Sequence, residues 1–288
     1  MSNAKITPSN NESGSRRGLF ILLLLFLAFA TQVTAGVLVA PTVVVLSDKH
    51  RTARLDINNP GSTPQEVTIA FAFGLPESDS IGNVRVILRD TNITDPRSTV
   101  EWIKAFPRQM VIPPGGTQVV RFVAAPPDGL ADGEYWGRIV VRAKDGQKEV
   151  PPASTDGAIT TKLNMIMQTA IMIKYRTGTL NSEVEVSEAT TKRTDSSVQV
   201  TIDLNNKGNV SYVGVLTCRL LNEEKKEVSR THSDLAVYRQ LRRRMELPTR
   251  NTTGKYTVEI SVTTDGRTDV APEDLIAGNK VFSSIEVE

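Results

Sequence analysis

The sequence predicts an all-β protein of two immunoglobulin-like β-sandwich domains in tandem, and three observations carry that prediction. From Val37 onward, short runs of alternating apolar residues recur between clusters of Gly, Pro, Asn and Asp, which is how strands and their turns read. No convincing amphipathic helix interrupts them. The order glycine, tyrosine, hydrophobic strand occurs twice, at Gly133-Glu134-Tyr135 and at Gly254-Lys255-Tyr256, so the same unit is read twice.

Ahead of the strands, Arg16 and Arg17 precede the apolar run 19–30, and Thr31-Gln32-Val33-Thr34-Ala35 follows it. A charged region, a short hydrophobic region and a small-residue cleavage site describe a signal peptide over residues 1–35. The run is shorter than the about 20 apolar residues of a membrane span. Two domains are expected after it, 36–176 and 177–288, each needing a core large enough to stand alone. Cys218 is the sole cysteine, so no intramolecular disulfide is available, and its strand setting makes it a buried small hydrophobe. The leader accounts for the net charge of +2 and leaves the rest near neutral. That balance argues against nucleic acid or an anionic membrane as partner.

In order, strands are expected at 37–46, broken by Pro41, then at 51–57 and at 65–73, with Asn58-Asn59-Pro60-Gly61 as the turn between the last two. Further strands follow at 84–88, 102–106, 110–112 and 118–124. Asp132-Gly133-Glu134-Tyr135 then opens a long one, with Tyr135 placed like the tyrosine corner of immunoglobulin-like sandwiches. Residues 144–160 read as a mobile loop. Beyond the hinge at 176–178, the second unit shows strands at 184–186, 198–204, 212–221, 256–260 and 280–288. Asn205-Asn206-Lys207-Gly208-Asn209 turns its second strand, and residues 231–250 suit either a strand or a short helix. The basic run Arg239, Arg242, Arg243, Arg244 reads as a solvated strand or turn face.

Catalytic chemistry is not expected. His50 and His232 are the only histidines, one in each unit, and neither has a paired nucleophile or a second metal ligand. There is no phosphate-cradling glycine loop and no Gly-x-Ser-x-Gly elbow. The chain therefore reads as a non-enzyme without metal or cofactor.

The informative stretch is 163–176, LNMIMQTAIMIKYR. Leu163, Met165, Met167, Ile171 and Ile173 alternate with their neighbours, and Thr169 is the one polar member of that register. This is a long strand with one apolar face. An apolar edge strand is an aggregation hazard unless it is covered, so a chain that keeps one can use it to pair with a partner.

Several of these segments together resemble the periplasmic pilus-chaperone (PapD-like) family. They are Ala40-Pro41-Thr42-Val43, Asn58-Asn59, Pro113-Pro114-Gly115-Gly116-Thr117-Gln118, Asp132-Gly133-Glu134-Tyr135 and above all 163–176. There Gln168-Thr169, Ile171 and Tyr175-Arg176 follow in the family's order. The resemblance covers 37–177 and thins to general grammar beyond. It implies two sandwiches set in an L, a periplasmic location, and strand donation to a pilin-like subunit later passed to an outer-membrane usher. The donated set would be Leu163, Met165, Met167 and Ile171. The family's two cationic anchors for the subunit's terminal carboxylate fall on Val43 and Met172, which cannot serve, leaving Lys174 as a substitute cation. The alternative is an immunoglobulin-like structural or adhesion protein of the envelope, in which this strand merely closes the first sandwich.

Overall fold

The computed structural model describes residues 36–89, 95–146, 165–249 and 254–287; the signal-peptide assignment and Leu163 lie outside them. In the amino-terminal half the strands are β1 (Leu38–Ala40), β2 (Val43–Ser47), β3 (Thr52–Asn58), β4 (Gln65–Ala72), β5 (Pro76–Ser78), β6 (Val84–Val86), β7 (Ile103–Phe106), β8 (Gln109–Ile112), β9 (Thr117–Ala124), β10 (Gly133–Asp145) and β11 (Ile166–Thr177). One sheet has the order β1-β3-β9-β7 and the other β2-β11-β10-β4-β8. Strand alternation turns Leu55, Ile57, Val120 and Phe122 of one sheet toward Val67, Ile69, Ile139, Val141, Ile173 and Tyr175 of the other, and these side chains form the first core. Pro41, expected to break a strand, separates β1 from β2 after a cis Ala40–Pro41 bond. The two pieces then pair in different sheets.

The second half holds β12 (Val184–Arg193), β13 (Ser197–Asn206), β14 (Tyr212–Leu221), β15 (Glu227–Val237), β16 (Gln240–Pro248), β17 (Thr257–Thr263) and β18 (Val281–Glu286). Its sheets are β12-β13-β16 and β15-β14-β17-β18, around a separate core that includes Val200, Ile202, Leu216, Cys218, Val258 and Ile260. Cys218 is wholly buried, and burial pushes its thiol up to about 12. The segment that suited strand or helix is a hairpin, β15 and β16. β12 runs well past the expected 184–186: its outer residues are largely polar, and antiparallel pairing with β13 continues to Arg193.

Two local devices stand out, and the second occurs in both sandwiches. The Tyr135 hydroxyl donates to the Ala131 carbonyl at 2.9 Å, the tyrosine-corner geometry. The doubled asparagines do the same work twice. The Asn59 amide donates to the carbonyls of Thr63, Ile112 and Pro113, and its Oδ1 accepts from Gly61 N. The Asn206 amide donates to those of Val210, Val237 and Tyr238, and its Oδ1 accepts from Gly208 N. In each case one side chain supplies partners to three carbonyls at a strand end and in the adjoining loops.

The β5–β6 hairpin leaves the first sandwich and lies on β16 of the second. Ser78 Oγ accepts from Arg242 N at 2.7 Å, and the Ser80 carbonyl accepts from the Arg242 guanidinium at 3.2 Å. Val84 packs against the second core. The basic run is thus engaged: Arg239 pairs with Asp95, Arg242 with Asp203, and Arg243 donates to Ser233. It is part of a bracket between the sandwiches; Arg244, also exposed, lies beside the hairpin turn, its backbone N–H donating to the Gly82 carbonyl.

Candidate functional site

β11 is two strands in one. Along its whole length it pairs antiparallel with β10, from Ile166 opposite Lys144 to Thr177 opposite Gly133. On its other side β2 pairs with it in parallel, but only from Met172 to Arg176. Among the described residues, nothing pairs with the outer edge of 166–171. At about 3.3 Å per residue that is roughly 20 Å of open strand.

Burial follows the same division. Met165, Ile166 and Met167 are 60%, 64% and 37% exposed, whereas Ile173 and Tyr175 are 0% exposed. The free stretch therefore begins with apolar side chains on both faces, Ile166 on one and Met165 and Met167 on the other, before Gln168 and Thr169. Met167 is the least exposed of the three because its thioether lies against Gly36, filling the space a Cβ there would take. Of the expected donor residues, Met165 and Met167 are open to solvent, and Ile171 sits in the first core.

The carboxyl-terminal part of β11 faces a buried charge cluster. Glu134 is wholly buried on β10. Its Oε2 accepts from Arg176 Nε at 2.9 Å, while Oε1 lies 3.2 Å from Lys174 Nζ. Trp136 Nε1 donates to the same Oε1 at 2.7 Å, and Ser211 of the second sandwich donates to it through both its amide and its hydroxyl. Burial by itself would raise the carboxyl pKa; Lys174, Arg176 and the hydrogen bonds outweigh it and hold Glu134 at about 2. Lys174 also donates to Ser211 Oγ at 2.6 Å and lies over the Tyr238 ring. The expected substitute cation is thus committed to an internal network.

The two positions expected to lack their cations are filled by an apolar junction. Met172 joins Phe73, Leu75, Trp136 and Tyr238 in a small core between the sandwiches, with Val43 packed at its side. Trp136 and Tyr238 meet edge to face at 5.2 Å. Register places Val43, Met172, Arg138 and Ala72 in one row across four adjacent strands, so their side chains share a face. Arg138 is half-buried, its Nε donates to the Gly74 carbonyl at 3.0 Å, and no carboxylate pairs with it among the described residues. Sequence reasoning missed both Glu134 and Arg138. Parity offered a partial signal: with Tyr135 pointing into the core, residues 134, 136 and 138 must share the opposite face. Which strand lies beside that face is information only the register supplies.

No family model matches the chain, and no curated protein matches it. Solved structures do resemble it, several chaperones among them. A crystal structure of the Pseudomonas aeruginosa CupB2 chaperone is 14% identical with a TM-score of 0.39, covering 86% of this chain and 98% of its own. The E. coli chaperone DraB is 14% identical, at 0.40, over 88% and 98%. The SafB chaperone, from a complex with the Salmonella enterica SafA pilin, is 14% identical, at 0.40, over 87% and 96%. Likeness at this level carries no argument about activity, which has to come from the residues of this chain.

Proposed function

We propose that this chain is an exported, periplasmic chaperone that binds a pilin-like subunit by lending it the open edge of β11 and then passes it to an outer-membrane usher. The observation that carries this reading is the divided character of β11: one half is built into the sandwich on both sides, and the other is left unpaired with its apolar side chains in solvent. A subunit lacking a strand would receive main-chain hydrogen bonds along 166–171, while Met165 and Met167 fill its groove. Methionine suits this task because an unbranched thioether adapts to an irregular groove and can be withdrawn again. Arg138, in the same row as the two apolar anchor positions, is the cation placed to receive the subunit's terminal carboxylate.

The test is co-expression of the mature chain with candidate pilin-like subunits. The unaltered chain is expected to bring a subunit down as a stable complex. Met165→Asp with Met167→Asp should abolish that complex, since two desolvated carboxylates cannot be accommodated in an apolar groove. Arg138→Ala should weaken it about tenfold, the size of one charge-assisted contact. A complex that survives the double substitution rules out donation through this segment.

A further inference from the structure

The described residues hold five methionines, and the fold treats them in two ways. Met172 and Met245 are 4% and 5% exposed, in the junction and in the second core, and Met110 is half-buried. Met165 and Met167 are the two that stand in solvent, Met167 on the open stretch of β11 and Met165 just ahead of it. A thioether in solvent is open to two-electron oxidants, and its sulfoxide is polar and chiral where an apolar, flexible side chain is needed.

We infer that Met165 and Met167 form an oxidative modification site that disarms the open edge of β11, with hypohalous acid as the class of oxidant. The inference rests on the strand-donation reading and adds a control on it. In the step, hypochlorous acid passes its oxygen to the methionine sulfur. An S–O bond forms, the O–Cl bond breaks, sulfur gives up two electrons and chlorine leaves as chloride with release of a proton. The product keeps the length of methionine but carries a strong hydrogen-bond acceptor. Seating that acceptor in an apolar groove leaves it desolvated and unpaired. For Met167 the added oxygen must also find room beside Gly36, against which the sulfur already lies. None of this touches either core, so the sandwiches should stay folded while the edge loses its use. Reduction of the sulfoxide back to the thioether restores the original surface, which makes the change a reversible one.

The experiment treats the folded mature chain with limiting hypochlorite and maps the products by peptide mass spectrometry. Met165 and Met167 should oxidise at least about tenfold faster than Met172 and Met245, with the circular dichroism unchanged. The treated chain should bind the co-expressed pilin-like subunit about tenfold or more weakly. Met165→Leu with Met167→Leu should lose no binding on the same treatment relative to its own untreated level, and methionine sulfoxide reductase should restore the unaltered chain. Oxidation of all the methionines at one rate, or full binding by a chain oxidised at both sites, overturns the proposal. An untreated chain that captures no subunit instead overturns the strand-donation reading, and the control falls with it.

Discussion

The two halves of β11 share a strand and a partner in β10, and each carries large apolar side chains, yet they meet opposite fates. From Met172 onward the strand has a neighbour on each side, and its residues enter the first core, the junction or the Glu134 cluster. From Ile166 to Ala170 it has one neighbour, and its side chains lie mostly in solvent. Composition alone therefore does not decide what an apolar strand is for; the length of the strand beside it does. The pairing with β2 begins only at Val43, opposite Met172, and the edge of β11 ahead of that point is left open. Exposed β-edges are normally blunted by charge, proline or a bulge, and 166–170 carries none of these.

The largest break of this contrast is at Glu134. Glu134→Ala leaves Lys174 and Arg176 buried without their counter-charge, at a cost of about 3–5 kcal/mol, or roughly 10 °C in thermal denaturation for a chain of this size. The same group sets a pH dependence. Its folded pKa is about 2 against an ordinary 4.5, so the carboxylate contributes stability that is fully present above about 4.5. That stability is lost as the pH falls from there toward 2. Glu134→Gln should flatten the melting temperature across that window, and a variant as acid-sensitive as the unaltered chain would contradict the assignment.

Next in size is a matched pair on β11 itself. Ile173→Ala, at a fully buried site, is expected to cost about 2–5 kcal/mol in urea unfolding. Ile166→Ala, at a residue 64% exposed, should change stability by no more than about 0.5 kcal/mol. Equal costs would mean that the edge at 166–171 is covered in solution.

Much of this architecture was legible in the residues. Alternation and turn clusters mark most strands, and the doubled Asn-Asn and Gly-x-Tyr patterns mark the two sandwiches, because those signals are local. What escaped were features made by register and by contact between distant segments. Polar β12 and β15 are held by pairing and lack the alternation that a reader looks for. Arg138 acquires its place only from the row Val43, Met172, Arg138, Ala72. Lys174 looked free because nothing in its own strand reveals Glu134 and Ser211. The open edge itself could be expected from its apolar run, but where it ends depends on how far β2 reaches.

The smallest effect tests whether the second sandwich helps to hold this arrangement. Gly82, at the turn of the β5–β6 hairpin, has φ of 84°, and a Cβ there would stand 2.6 Å from Arg244 N. Gly82→Ala is therefore both strained and obstructed, with an expected cost of about 1–3 kcal/mol. Because the clash with Arg244 is relieved by lifting the hairpin off β16, small-angle scattering should report a broader range of angles between the sandwiches. Subunit capture through Met165 and Met167 should persist, since the open edge lies wholly in the first sandwich. If capture fails along with the bracket, the junction at Met172 and Arg138 must be held by the hairpin before the edge is usable, and the two halves of β11 would then work as one site.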